Sequence, residues 1–225
     1  SSEEKEIYDY LIKEKNEHPL IAKYIAKKEH IDKESLEIYM NPTLDNLDDE
    51  NKIKDLNKAV KLITDKISKG ESNKILVVGD YDTDGITASS IMYWFFKEKF
   101  GVEIKCYIPE RVEGYGLKNH IIDYALDNGY DFIITVDNGI AAIEPVKYAK
   151  EKGLTIIITD HHQIQDGEIP IADAVCNTVQ PDCQYRDKYI SGVGMAWNIC
   201  RNIDYDIALD LLPIVAIGTI ADVVP

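Results

Sequence analysis

From Lys74 onward the chain alternates short, almost wholly apolar runs with longer stretches whose apolar residues recur every three or four positions. The short runs are Ile75 to Val78, Val102 to Ile108, Phe132 to Val136, Leu154 to Thr159 and Ala174 to Cys176. Helical spacing falls near residues 85–99, 118–128, 141–152 and 193–203. Continuous apolar strands alternating with helices predict an α/β fold, a parallel sheet covered on both faces. The helix after the first strand carries Ile86, Ile91, Met92, Trp94, Phe95 and Phe96, which predicts burial over much of its circumference. Trp94 and Trp197 are accordingly expected in the core. Before residue 74 the pattern is helical throughout, with Ile7, Tyr10 and Leu11 followed by Leu20, Ile21, Tyr24 and Ile25 at helical spacing. A short helix from Ser35 to Met40 should end at Asn41-Pro42. Asp48-Asp49-Glu50 then reads as the acidic first turn of a long helix striped with Ile53, Leu56, Val60, Ile63 and Ile67. The predicted organisation is an N-terminal helical region over 1–73, without a chemical cluster, and an α/β domain over 74–225.

Composition narrows the function. With 45% hydrophobic and 29% charged residues among 225, the chain is globular rather than disordered. Its formal net charge is -15, and residues 74–225 hold 12 Lys+Arg against 23 Asp+Glu, a share of -11. Arg111, Arg186 and Arg201 are the only arginines. That excludes a broad basic nucleic-acid surface and leaves few phosphate-gripping candidates. Cys106, Cys176, Cys183 and Cys200 form no Cys-x-x-Cys pair, so a zinc knuckle is not indicated and reduced thiols in a cytoplasmic protein are expected. No leader pattern or membrane span is visible, since the apolar stretch from Leu211 is short and carries Asp222. The start at Ser1-Ser2 without Met and the stop at Pro225 fit a piece of a longer natural chain.

In open α/β sheets the ligand site lies beyond the carboxyl ends of the strands. Here the first strand is followed by Asp80-Tyr81-Asp82-Thr83-Asp84-Gly85, the third by Asp137-Asn138-Gly139 and the fourth by Asp160-His161-His162. One such Asp is an ordinary helix cap, and Asp82 or Asp84 can be read so. Carboxylates gathered from three strand ends repel one another unless a cation sits between them. Carboxylates with an imidazole suit Mn²⁺ or Mg²⁺, and there are enough here for two ions sharing a bridging Asp, as phosphoryl chemistry uses them. Neighbouring side chains often point apart, so at most one of the two histidines is expected as a direct ligand. Arg111 has two readings, a phosphate contact or a partner of Glu110 or Glu113. Gly114-Tyr115-Gly116 reads as a turn lying over the site. Ser191-Gly192-Val193-Gly194 either offers backbone N–H groups to a phosphate or is an ordinary N-cap with close packing. His18, His30 and His120 read as surface or packing residues.

These three strand-end motifs resemble those of the DHH phosphoesterase superfamily. Ser191 to Ala196, Ile217 to Pro225, Ile108 to Leu117 and Tyr39 to Leu47 resemble further motifs of its RecJ branch of single-stranded-DNA exonucleases. The resemblance implies a Rossmann-like DHH domain and metal-dependent 5′-to-3′ hydrolysis of single-stranded DNA in repair and recombination. It implies metal ligation by Asp80, Asp82, Asp84, Asp137, His161 and Asp222, with Asp137 bridging. Of the catalytic residues it implies, His161, His162 and Asp160, His162 would face the phosphate or leaving group and Asp160 would orient an imidazole. Arg111, Asn138, Ser191 and Gly192 would touch substrate. Some relatives carry a His two residues before the first Asp of the motif, where this chain has Val78, which implies one metal bound more weakly or with more water ligands. The resemblance also implies a further C-terminal nucleic-acid-binding domain, absent from these 225 residues, so that the chain alone should bind Mn²⁺ but degrade DNA poorly. Single-stranded DNA is the expected partner, with a single-strand-binding protein or a helicase supplying it and no membrane involved. Two alternatives stay open: an oligonucleotide or cyclic-dinucleotide phosphodiesterase of the same superfamily, and a non-catalytic scaffold.

Overall fold

The computed structural model describes residues 2–27 and 33–224, so His30 and Pro225 lie outside it. The chain forms two compact units, Ser1–Leu47 and Asp48–Pro225. In the first, helices α1 (Ser2–Lys13), α2 (Pro19–Ile25) and α3 (Lys33–Met40) enclose Ile7, Leu11, Ala22, Ile25 and Leu36. His18 caps α2, its Nδ1 accepting the Leu20 N–H at 3.3 Å, and Pro19 sets the first turn. The Tyr10 hydroxyl donates to Glu37 at 2.5 Å, and Lys15 pairs with the same carboxylate.

The second unit begins earlier than the helical region was expected to end. Helix α4 (Leu56–Ser68) buries Leu56, Ala59 and Ile63 in the same core as the sheet, so it is part of the sheet's packing. Nor does the acidic run open this helix. Asp49 caps a single 3₁₀ turn over Glu50–Lys52, and Asp55, left-handed at φ 59°, breaks the chain before Leu56.

Strands β1 (Ile75–Val78), β2 (Lys105–Tyr107), β3 (Phe132–Val136), β4 (Thr155–Thr159) and β5 (Ala174–Cys176) form one parallel sheet in the order β2-β1-β3-β4-β5. Ile75, Val77, Ile134, Val136 and Ile157 join a core shared with α4, α5 (Thr83–Phe100) and α8 (Gly192–Ile203). Leu76, Val78, Ile133, Ile156 and Ile158 join the core of the other face, with α6 (Asn119–Asp127) and α7 (Ile143–Glu151). Burial on both faces accounts for the unbroken apolar runs. Helices α9 (Tyr205–Asp210) and α10 (Leu212–Asp222) complete the unit. Gly218 brings α10 hard against α5 and α8, since a Cβ there would lie 2.7 Å from Val193 and closer still to Thr87. Among the described residues no helix is long and apolar enough to cross a membrane.

The two tryptophans differ. Trp197 is buried, its indole N–H donating to the Ala208 carbonyl at 2.6 Å, as a core residue should. Trp94 is 50% exposed, which corrects the expectation: it sits on the outer side of α5, edge-on to Tyr93 with the Lys97 ammonium over its ring.

Asp55 also closes an exposed sheet edge. Its Oδ2 accepts the outward N–H of Val175 on edge strand β5 at 3.1 Å. Asp55→Ala frees that N–H and puts a β-carbon residue without a polar handle at positive φ. Urea denaturation should show a loss of about 1–2 kcal/mol; an unchanged midpoint contradicts this role.

The strand order reverses between β1 and β3, because the chain leaves β1 toward β2 and then crosses back to build β3, β4 and β5 outward. The register aligns Val78 with Thr135 and Val136 with Thr159, so the three site loops leave the sheet at nearly one level. The crevice at such a switch point is where ligands bind in sheets of this order.

Candidate metal centre

Each of the carboxylates stands where backbone geometry puts it. Asp80 follows β1 in a turn so tight that a Cβ on Gly85 would lie 2.5 Å from the Asp80 nitrogen. Asp82 is the N-cap of α5, its Oδ1 accepting the Gly85 N–H at 2.9 Å. Asp84, in the first turn of α5, accepts the N–H of Gly192 at 2.6 Å and of Val193 at 2.8 Å, with one oxygen on each. The N-terminus of α8 thus clasps a buried carboxylate, where the helix dipole favours negative charge. Asp137 follows β3 in the left-handed region at φ 61° and is 1% exposed. Asp160 follows β4, fully buried.

His161 ties these ends together. Its Nε2 lies 3.2 Å from Asp137 Oδ1, 3.7 Å from Asp84 Oδ2 and 3.6 Å from Asp222 Oδ2. Asp222, the last residue of α10, reaches the site from far along the chain. Three sets of side chains each bring one ligand atom apiece within 4.8 Å of one another: Asp84, His161 and Asp222; Asp80, Asp82 and Asp137; and Asp137, His161 and His162. Asp137 and His161 belong to two sets each. Asp82 serves both its readings, as helix cap and as cluster member.

The donor set fits a pair of hard divalent cations. Asp80 Oδ1, Asp137 Oδ1 and His161 Nε2 are buried without a hydrogen-bond partner, and all three belong to the cluster. Orphaned buried polar atoms call for a partner, and three gathered in one cluster of carboxylates and imidazole suit a cation. The charges are in conflict as they stand. Burial, then repulsion from Asp84, Asp82 and Asp160, pushes the Asp137 carboxyl up to about 10, and burial also raises Asp80 and Asp84. Val78 is packed into the sheet core and offers no ligand.

The two histidines do not point apart. Their ring centroids are 4.4 Å apart and both face the carboxylates, which corrects the expectation from adjacency. Asp160 explains it. Its Oδ1 accepts His162 Nδ1 at 2.7 Å and the N–H of His161 at 2.7 Å, and its Oδ2 accepts the Ile140 N–H at 2.8 Å. Burial alone would raise Asp160, but His162 and these backbone donors outweigh it and hold the carboxyl below its usual range. The same hydrogen bond raises His162. With its oxygens engaged in this way, Asp160 belongs to none of the three ligand sets.

Several expected substrate contacts have other duties. The N–H groups of Gly192 and Val193, expected for a phosphate, are spent on Asp84. Ser191 Oγ caps α8 through Gly194 N and lies 2.7 Å from Thr219 Oγ1. Asn138 is fully buried, its Nδ2 donating to the carbonyls of Val78 and Val136, so it staples β1 to β3 rather than facing solvent. Arg111 makes no ion pair with Glu110 or Glu113 among the described residues. It lies 5.0 Å over the ring of Tyr81, the residue between Asp80 and Asp82 in sequence, while Glu113 engages Tyr107 and His120. Tyr115 was expected only as part of a turn, without a role for its side chain. Its hydroxyl donates to the Asp137 carbonyl at 2.9 Å and lies 3.1 Å from His162 Nδ1, closing the turn Gly114–Gly116 over the site. The two flanking glycines mark the turn, but a contact 22 residues away leaves no local signature.

Gly192 is required by proximity. A Cβ there would lie 2.5 Å from both Cβ and Oδ1 of Asp137. Gly192→Ala must therefore displace Asp137 or the start of α8. Calorimetry should show Mn²⁺ affinity reduced by about tenfold or more, and unaltered affinity would contradict this packing.

The sequence profile of the DHH family, N-terminal domain, matches residues 74–219. This chain belongs to the DHH family. The match covers the DHH domain's sheet and reaches into α10. The single-stranded-DNA-specific exonuclease RecJ of Bacillus subtilis (strain 168) is 38% identical over 208 residues, covering 92% of this chain and 26% of that protein. The RecJ of Escherichia coli (strain K12) is 36% identical over 184 residues, covering 75% of this chain and 31% of its own length. Among solved structures, exonuclease RecJ bound to manganese superposes with a TM-score of 0.66 at 29% identity, over 77% of this chain and 44% of that one. RecJ of Thermus thermophilus in complex with Mn²⁺ gives 0.63 at 26% identity, over 77% of this chain and 25% of that one. This DHH chain spans about a quarter to a third of the length of these curated relatives.

Proposed function

We propose that this chain is the catalytic part of a metal-dependent nuclease that hydrolyses phosphodiester bonds of single-stranded DNA, releasing 5′-mononucleotides. The observation that carries the reading is the convergence of Asp80, Asp82, Asp84, Asp137, His161 and Asp222 at the β1/β3 switch point, with three of their ligand atoms buried and unpartnered. Asp84, His161 and Asp222 would hold one Mn²⁺ or Mg²⁺, and Asp80 and Asp82 the other, with Asp137 between them. Bound there, the ions supply an activated water and neutralise the phosphate. Similarity to RecJ exonucleases, two of whose structures hold manganese, supports both substrate and metal.

The chain's own residues do the rest. Asp160, accepting at His162 Nδ1, fixes that nitrogen as a donor, so that Nε2, which has only the long 3.4 Å approach of the Tyr115 hydroxyl, would be the atom to meet a phosphate oxygen or the leaving group. Its hold also favours the protonated ring, the form that can give a proton. Tyr115 closes the far side of that ring, and Arg111, stacked on Tyr81 rather than paired with Glu110 or Glu113, is available to a phosphate. An acidic surface of -15 is tolerable for a polyanion's enzyme only where cations reverse the sign locally.

With this charge the 225 residues alone should hold a long strand weakly. Incubated with Mn²⁺, the chain should release mononucleotide from a 5′-phosphorylated dinucleotide, act slowly on long single strands, and lose both activities in EDTA. Metal-independent or absent hydrolysis of both substrates overturns the reading. The proposal extends to a single-strand-binding protein or helicase as the source of substrate, since a single-strand nuclease needs its strands separated. Four free thiols support a reducing, cytoplasmic setting.

A further inference from the structure

The segment from Glu110 to Tyr115 carries Arg111, and none of its residues is buried. Val112, between Arg111 and Glu113, is 89% exposed, so apolar packing does not hold this turn in place. A single carboxylate does. Glu113 Oε2 accepts the Glu110 N–H at 2.6 Å, which closes the 3₁₀ turn Arg111–Glu113 on itself. Glu113 Oε1 accepts the Tyr107 hydroxyl at 2.6 Å, at the end of β2, and lies 2.8 Å from His120 Nε2, in the first turn of α6. The turn is thus tied to the strand before it and the helix after it. Burial, then the bond to Glu113, pushes the Tyr107 phenol up to about 12. The same hydroxyl leads the donors that hold the Glu113 carboxyl below its usual range, so donor and acceptor keep their roles around neutral pH. Tyr115 has a separate anchor, its hydroxyl on the Asp137 carbonyl, and runs into buried Gly116 and Leu117. Arg111 has only the Tyr81 ring and the turn that carries it.

We propose that Glu113 is a positioning residue for substrate binding: tied to β2 and α6, it aims Arg111 at a substrate phosphate and, with both its oxygens engaged, leaves the guanidinium unpaired. The inference rests on the phosphoesterase reading, which gives Arg111 its phosphate. Glu113 belongs to none of the three ligand sets, so its effect falls on substrate affinity and not on the metals. The sign of that effect separates positioning from charge. A carboxylate close to a phosphate site repels the phosphate, so its removal would by charge alone tighten binding. Loss of an anchor loosens it.

The test is steady-state hydrolysis of a 5′-phosphorylated dinucleotide at saturating Mn²⁺. Glu113→Ala should raise KM by about tenfold and leave kcat and Mn²⁺ affinity within about threefold, the pattern of lost uniform binding. Glu113→Gln loses the charge but keeps an oxygen for the Glu110 N–H and an amide NH₂ for Tyr107 and His120, and should hold KM within about twofold of the unsubstituted chain. Arg111→Ala should raise KM as far as Glu113→Ala does, and the double variant should raise it no further, because the two residues act through one contact. Tyr107→Phe keeps the charge and removes one donor; it should raise KM by about threefold, and it stands in for Glu113→Ala if that variant does not fold. An unchanged or lowered KM in the anchor-breaking variant, an equal rise in Glu113→Gln, or full additivity with Arg111→Ala overturns the positioning role and leaves the metal centre standing. Failure of the unsubstituted chain to hydrolyse the dinucleotide overturns the phosphoesterase reading, and the positioning role with it.

Discussion

Asp137→Asn should make the metal-free protein more stable and the metal-loaded protein less so. Asn has nearly the shape of Asp and tolerates the left-handed backbone that position 137 requires, so the substitution removes the titrating carboxyl and little else. In the metal-free state that carboxyl is a liability, because burial among Asp84, Asp82 and Asp160 holds it protonated in the folded chain while it ionises in the unfolded one. Its relief should contribute about 1–2 kcal/mol, a rise of several degrees in Tm for a domain of this size. With Mn²⁺ the order reverses. The wild type gains the free energy of ligand binding and the variant, lacking the shared ligand, gains far less. Mn²⁺ affinity should fall by about 100-fold or more, with hydrolysis following it. Differential scanning calorimetry with and without Mn²⁺ reads both halves. If Asn lowers Tm in EDTA, Asp137 has a structural partner that the cluster does not show, and the charge-conflict account is wrong.

Asp84→Ala should fail in the opposite way, losing stability whether or not metal is present. Asp84 is both a cluster member and the acceptor for two backbone N–H groups at the start of α8. Alanine leaves both donors buried and unpaired and unpins α8 from α5. The expected cost is about 2–4 kcal/mol in EDTA, read by urea denaturation, together with loss of the Mn²⁺-dependent gain. Asp84→Asn keeps one acceptor oxygen and should recover part of the stability but not the metal affinity. Equal EDTA stability of wild type and Asp84→Ala would show that the α8 terminus is not held by this carboxylate.

The contrast between the two aspartates shows where sequence reasoning carries and where it stops. The strands and their parallel pairing were legible because a sheet buried on both faces writes unbroken apolar runs, and Ile75–Val78 and Phe132–Val136 are such runs. The carboxylates were legible because three strand ends carried them. What each one holds was not. Nothing local says that Asp84 binds the N-terminus of α8, 108 residues on, or that Asn138 turns inward to join β1 and β3. The same blindness placed Trp94 in the core, since hydrophobic spacing along α5 does not say which side meets solvent. It also began α4 too early: an acidic run looks like a helix start, but Asp55 in the left-handed region ends any continuity from Asp48. Asp222 came from resemblance alone, and its approach to His161 depends on α10 packing across α5 and α8 through Gly218.

The most direct test of the central claim is an anomalous-difference map from crystals soaked in Mn²⁺. The account predicts two peaks inside the strand-end cluster, one among Asp84, His161 and Asp222 and one among Asp80, Asp82 and Asp137, both lost in Asp137→Asn at the same Mn²⁺ concentration. A map with no peak at these residues, or with manganese bound only elsewhere on the chain, would contradict it.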